Sequence, residues 1–440
     1  MSATLRGIEG PLSSTARIAR YGVPAVIGIF YLTASLAFDF TSEGTMAMAS
    51  LVKYGFSSPL GAGSPSPLWE FILTVGRMFR LDPLLSAKVL SLVFSCLAIL
   101  VCYLVANEIL RDYVMAFCVA LILAMQGWFL QIAPSGSALG AAMALVLAVV
   151  FFMLRNDYVV ATFILGLCTL IFWQAVFLLV PLCADIGINS INKRRALKVM
   201  LVAGLAYGGA LLPWVVFSWI NARDMIPVML GFSELPALTA VGTLTLALPG
   251  SCAVVGLALA ASGAKHERRS AGVGPHLFMI FLFILGTVLH LDVWYAGIPL
   301  VLAYGFLGLT RVWERLGRGN PGYTVSIVLT GVLLIGAQSS FYTENKPSMA
   351  DAIAQMRELR TAGEWVGMNS LTGQDICAEH PAVIGYYAER PVTSVAQSSG
   401  SHCDLMVSSR TEISGYEMAF SPKASPDEVP VQRFAVWRKR

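Results

Sequence analysis

From Tyr21 to Phe341 the sequence is a ladder of apolar runs, many of them close to the length of one helical crossing of a bilayer. Hydrocarbon offers a backbone amide or carbonyl no partner, so such runs must fold as helices that keep their hydrogen bonds inside the segment. The runs fall near 22–38, 86–106, 113–131, 137–154, 158–171, 173–188, 198–220, 237–262, 275–290, 294–310 and 323–341, roughly eleven spans when about 20 residues make a crossing. Composition agrees: 56% of residues are hydrophobic and 13% charged, where soluble domains carry about 25% charged residues. The net charge of +4 comes from basic residues in short loops that form no continuous patch, which gives no case for a nucleic-acid partner.

Loop charge orients the ladder. Arg6, Arg17 and Arg20 precede the first run and no small-residue cleavage site follows it, so it reads as a retained span with a cytoplasmic N-terminus. Starting there, the cytoplasmic loops hold Arg111, Arg155, Lys193, Arg194, Arg195, Lys265, Arg268, Arg269, Arg311, Arg315 and Arg318. This alternation requires two short helices within 158–188, broken at Phe172-Trp173-Gln174, since one helix there would invert every later loop. Two extracytoplasmic pieces are then large, a first loop over 39–85 and a tail over 342–440. The tail mixes a helical start (Met349 to Val366), short apolar runs at Ala382–Tyr387 and Asp404–Ser408, and strand-like alternation at Val431–Trp437. The expected architecture is mainly α: a polytopic transmembrane domain over 1–341 followed by a small extracytoplasmic α/β domain over 342–440.

Six cysteines (Cys96, Cys102, Cys118, Cys168, Cys183 and Cys252) lie in apolar runs, where a thiol acts as a small hydrophobe. Cys377 and Cys403 lie in the tail, as a disulfide if it is outside the cytoplasm or as two unpaired thiols. His380 and His402 stand near them, in a spacing that fits no zinc pattern well.

The informative polar cluster is where the first span ends, at Phe38-Asp39-Phe40-Thr41-Ser42-Glu43-Gly44. Asp39 and Glu43 share a face if the helix continues. A partly desolvated carboxylate at a membrane rim serves as a general base or binds a metal; the pair is otherwise a solvated helix end, where acids are common.

After Ser42-Glu43-Gly44 come a small-residue helix from Ala49 to Gly55, then Ser66-Pro67-Leu68-Trp69, then Leu81-Asp82-Pro83. The order of these features resembles the GT-C superfamily of polytopic glycosyltransferases, which use polyprenyl- or dolichyl-phosphate sugars. Pro134-Ser135-Gly136-Ser137 is similar to the family's Ser-Gly turn, the paired short helices match its architecture, and Gly385-Tyr386-Tyr387-Ala388-Glu389-Arg390-Pro391 looks like a tail motif of related transferases. The chain departs from the pattern at Ser42, where the family often has an acid, at Ser137-Ala138, where many members have another, and at Phe172-Trp173-Gln174, where many carry Arg-Pro.

The resemblance implies transfer of a sugar from a polyprenyl-phosphate donor to an extracytoplasmic glycan, lipid or protein, with inversion or retention at the anomeric carbon. Glu43 is the implied base or acceptor-binding residue, with Asp39 second. A lipid phosphate is already a good leaving group, so the remaining need is for cations to hold it. Lys53, Arg77, Arg80, Lys88 and Arg223 are the candidates, each of which could equally snorkel to headgroups. His290 and Asp292, in a turn before Trp294-Tyr295, are further binding candidates, and Asp224 and Glu234 are weaker ones for an acceptor path. Glu108 and Asp112 are cytoplasmic in this topology and read as structural. A divalent cation is compatible with this chemistry and not demanded by it. The missing acids also support a second reading, a non-catalytic subunit that binds lipid or a membrane-complex partner. A transporter is disfavoured, because span interiors are almost free of charge and no inverted repeat is visible.

Overall fold

The computed structural model describes residues 14–35, 41, 43–54, 66–189, 193–220, 297–300, 302–304, 306, 346–395, 403–410, 413–422 and 434–439. The helices before residue 221 are α1 (Ser14–Ser35), α2 (Glu43–Tyr54), α3 (Pro67–Met78), α4 (Pro83–Leu110), α5 (Tyr113–Ala124), α6 (Gly127–Ile132), α7 (Leu139–Leu154), α8 (Tyr158–Ile171), α9 (Leu179–Asn189) and α10 (Lys193–Ile220). Of the expected runs, 237–262, 275–290 and 323–341 lie outside the described residues, and 294–310 is described in part.

Polar residues between the runs set the helix ends. Pro83 opens α4 where no N–H is needed, and Asp82 caps it, its carboxylate accepting from the Leu85 amide at 3.1 Å. Arg111 closes α4 in the left-handed region (φ 52°), and the next residue, Asp112, caps α5 through the amides of Val114 and Met115. Asn156 (φ 58°) and the cap Asp157 make the same sharp reversal between α7 and α8. Arg155 holds Glu108 at 2.7 Å, so the ends of α4 and α7 lie together.

By length and apolarity two described helices are sufficient to cross a membrane, Pro83–Leu110 and Lys193–Val216. A third candidate is Tyr113–Ala124 with Phe129–Ser135, bent by 63°. Tyr21–Ala34, Leu139–Leu154, Tyr158–Ile171 and Trp173–Ile188 are shorter apolar helices.

The stretch 158–188 does hold two short helices. At Phe172 the chain turns extended (φ −142°, ψ 95°), passes through a 3-10 turn over Trp173–Leu178, and returns as α9. The return is complete, since the Tyr158 hydroxyl at the start of α8 donates to Asp185 near the end of α9 at 3.1 Å. Arg111 and Arg155 therefore share one end of the bundle with the end of α9 and, right after it, Lys193, Arg194 and Arg195.

Buried α7 packs between α4 and α8, and α8 packs on α10. Gly166 allows the last approach: a Cβ there would stand 2.7 Å from Ala210 Cβ and 3.0 Å from the Tyr207 carbonyl. The other side of α4 exposes a continuous apolar stripe, Leu85, Val89, Val93, Leu97 and Leu100.

The C-terminal part comprises α11 (Lys346–Asn369), α12 (Pro381–Ala388) and a five-stranded sheet in the order β2-β1-β3-β5-β4, with β1 (Ile376–Ala378), β2 (Thr393–Ser394), β3 (Leu405–Ser408), β4 (Tyr416–Phe420) and β5 (Ala435–Lys439). β1 pairs parallel with β2 and β3, while β5 pairs antiparallel with β3 and β4. Strand alternation sends Ile376, Ala378, Leu405, Val407 and Val436 to the face covered by α11 and α12. Cys377, Met406, Ala435 and Trp437 go to the other face. There Cys377 and Cys403 are joined in a disulfide with Cα atoms 5.8 Å apart. Of the two apolar runs noted in the tail, Ala382–Tyr387 is the helix α12 and Asp404–Ser408 contains the strand β3.

One helix belongs to both parts. α2 places Met46 in the core of the C-terminal unit and Met48 and Val52 in the core of the bundle. Leu84, at the start of α4, also packs on the C-terminal core.

Candidate functional site

The end of the bundle opposite Arg111 gathers the segments that the sequence singled out. α2 starts at Glu43, and the description reaches that residue's backbone, not its carboxylate. Asp39, Arg223, Asp224, Glu234, His290, Asp292 and His402 lie outside the described residues. Beside α2 runs the tight turn Ala133–Ser135, closed by Gly136 at φ 79°. A Cβ on Gly136 would fall 2.5 Å from Thr45 Cγ2 and 3.4 Å from Ala87 Cβ, so the turn, α2 and α4 meet at the glycine.

Hydrogen bonds lock the turn. The Ser91 hydroxyl donates to the Ser137 carbonyl at 2.8 Å, and the Ser135 hydroxyl donates to the Ile132 carbonyl at 2.8 Å. The start of α3 reaches the break in the short-helix pair, where the Ser66 hydroxyl donates to the Ile171 carbonyl at 2.7 Å. Gln174, in the break itself, is buried, and its Oε1 has no hydrogen-bond partner among the described residues. The first loop, the Ser-Gly turn and the Phe172 break, distant in sequence, are thus one neighbourhood.

The candidate cations separate by environment. Arg77 and Arg80 are exposed, and Arg77 donates to the Val52 carbonyl at the end of α2. Lys53 stands 3.9 Å from Glu389, its Nζ 5.0 Å from the ring centroids of both Tyr54 and Tyr386. Burial alone would lower its pKa, but Tyr54, Asp82 and Glu389 around it leave it above the ordinary lysine value. Lys88 differs: at 8% exposure it is the one buried Lys or Arg among the described residues. It sits on α4 between Ala87, which touches the Ser-Gly turn, and Ser91, which binds it. A buried ammonium puts a positive charge beside this turn, where water screens it little.

A polar seam that the residue-by-residue reading missed joins this site to the C-terminal unit. The Tyr386 hydroxyl donates to Asp82 at 2.8 Å, and the Tyr54 hydroxyl donates to Glu389 at 2.9 Å. Burial, and then the Asp82 carboxylate, push the Tyr386 phenol far above its ordinary pKa, so it stays a donor. The signal was present in Leu81-Asp82-Pro83 and in the segment from Gly385 to Pro391, but nothing local says that the two meet. Among the described residues no three His, Cys, Asp or Glu side chains gather to hold a metal ion; neither Asp39 nor the Glu43 carboxylate is in that set.

No protein-family model matches the chain, and no curated protein matches it at a significant level. Solved structures do match. ArnT from Cupriavidus metallidurans bound to undecaprenyl phosphate aligns with a TM-score of 0.59 at 11% identity, over 86% of each chain. The Archaeoglobus fulgidus oligosaccharyltransferase in complex with Zn and sulfate aligns with a TM-score of 0.55 at 14% identity over 84% of this chain, which spans 62% of the length of that one. The chain, a helical bundle with an interrupted short-helix pair and a C-terminal α/β unit, thus shares its overall fold with these two solved structures.

Proposed function

We propose that the protein is a membrane glycosyltransferase that moves a sugar from a polyprenyl-phosphate carrier to a glycan, lipid or protein acceptor on the extracytoplasmic side. The observation that carries the reading is Lys88, a buried cation on α4 between Ala87 and Ser91, the two residues that meet the Ser-Gly turn, at the end of the bundle where the helix of Glu43 begins. Its neighbourhood fits the phosphate of a lipid carrier, the kind of molecule that the ArnT structure holds. The exposed stripe on α4, from Leu85 to Leu100, gives an isoprenoid chain an apolar path along the same helix.

In this reading Lys88 holds the donor phosphate as charge builds on the bridging oxygen. An acceptor hydroxyl attacks the anomeric carbon, the bond from that carbon to the phosphate oxygen breaks, and Glu43 takes the hydroxyl proton. The products are the glycosylated acceptor and the free polyprenyl phosphate. Sugar and acceptor are left open by the residues.

The test measures undecaprenyl phosphate binding by native mass spectrometry of the purified protein. Lys88→Gln, which removes the charge and keeps a polar side chain, should weaken binding about 10-fold or more, in line with the worth of a charge-assisted contact. Glu43→Gln should leave lipid binding intact and abolish transfer. Unchanged lipid affinity in Lys88→Gln would remove the phosphate site. An active Glu43→Gln would remove the base. Wild-type binding with no transfer to any acceptor, in a protein that co-purifies with a partner carrying an intact acidic pair, would select the non-catalytic subunit, which Ser42 and Ser137-Ala138 favour.

A further inference from the structure

We infer that Tyr386 and Glu389 are positioning residues, through which the C-terminal unit sets the place of the helix that begins at Glu43 and of the helix start that leads to Lys88. The inference rests on the transferase reading for its purpose, but its physical content is independent of it.

α2 spans 12 residues, which is too short to be stable as a helix in isolation. Its place must come from what holds it, and it is held from two sides. Met48 and Val52 pack into the bundle, while Met46 is fully buried among Leu359, Ala362, Ile384 and Ala388 of the C-terminal unit. Met46 stands three residues, about one helical turn, after Glu43, the first residue of α2. A shift of the C-terminal unit therefore carries the first turn of α2 with it through Met46.

The polar seam fixes that contact in register. Asp82 does two jobs with one carboxylate: Oδ2 caps α4, and Oδ1 accepts the Tyr386 hydroxyl. Loss of Tyr386 frees the residue that anchors the first turn of α4, one turn before Lys88. At the far end of α2, Tyr54 donates to Glu389 and Lys53 stands beside the same carboxylate.

Glu389 carries a further mark. It closes α12 at φ 56° with its amide on the Gly385 carbonyl, a left-handed C-cap that glycine adopts without strain and that other residues adopt at a cost. Glutamate at such a position is accounted for by its side chain, and the side chain reaches Tyr54.

The experiment is hydrogen–deuterium exchange on the full-length protein in nanodiscs, read together with undecaprenyl phosphate binding. In Tyr386→Phe/Glu389→Ala, exchange over 44–54 should rise about 10-fold or more, as expected when a locally held segment loses its anchors. Exchange over 139–154 should be unchanged, and lipid affinity should fall severalfold. Glu389→Gln, whose amide oxygen still accepts from Tyr54, should restore protection over 44–54 when compared with Glu389→Ala. Tyr54→Phe, which leaves the C-terminal unit untouched, should reproduce part of the effect and covers the case in which the double variant does not fold. Unaltered protection over 44–54 in both Tyr54→Phe and the double variant overturns the inference. If protection is lost as expected while Lys88→Gln has no effect on lipid binding, the clamp stands and the transferase reading falls.

Discussion

Gly136→Ala probes the joint on which the site is built. Gly136 has φ 79°, where a residue with a Cβ is strained by about 1–2 kcal/mol. The new methyl would also stand 2.5 Å from Thr45 Cγ2, well inside the ~3.5–4.0 Å of a carbon–carbon contact. α2 or the turn must give by about 1 Å to restore that contact distance. In a close-packed site such overpacking costs about 1–3 kcal/mol. The total is roughly 2–5 kcal/mol. Thr45→Ser removes Cγ2 and keeps the hydroxyl, so it relieves the clash and leaves the backbone strain. Thermal unfolding of the detergent-solubilised protein, followed by intrinsic fluorescence, reads the difference. Gly136→Ala should lower the melting temperature by several degrees, at about 2–4 °C per kcal/mol, and should weaken undecaprenyl phosphate binding. Gly136→Ala/Thr45→Ser should recover about half of the loss or more, a coupling of ~1–3 kcal/mol. Strictly additive effects of the two substitutions would refute the reasoning, since α2 would then not be seated on the turn through this contact.

Two further expectations concern the C-terminal unit. Removing the disulfide with Cys377→Ala/Cys403→Ala opens a loop of sequence separation 26 and should cost ~3.5 kcal/mol by chain entropy. Limited proteolysis should then cut within 403–422 of the variant while the bundle stays resistant. Glu379 supplies a pH signature: burial would raise its pKa, but hydrogen bonds from the Ser408 hydroxyl and the Ser409 amide leave it below the ordinary carboxylate value. A lowered pKa in the folded state gives stability that is fully present above the unfolded value and is lost as pH falls through the folded one. Melting of the C-terminal unit should therefore soften only as pH falls below the ordinary carboxylate value, and Ser408→Ala should flatten that dependence; an unchanged acid profile would contradict the assignment.

Part of the bundle was determined by the sequence alone, because an apolar run reads as a helix segment by segment; of the roughly eleven expected spans, two described helices are long and apolar enough to cross a membrane, or three with the bent pair. The two short helices in 158–188 were legible for the same reason: loop charges required an extra reversal, and the break falls at Phe172, as the structure has it. Helix ends such as Asp82-Pro83 and Arg111-Asp112 carry their own signals, since caps act within one turn. What the tertiary structure alone decided depends on contacts across long separations. Local pattern could not rank Lys53, Arg77, Arg80 and Lys88, which differ in burial and partners rather than in type. Nor could it join Asp82 to Tyr386, or divide α2 between two cores. A residue's neighbours in sequence fix its conformation. Its neighbours in space fix its charge environment and its work, and those are chosen only when the whole chain packs.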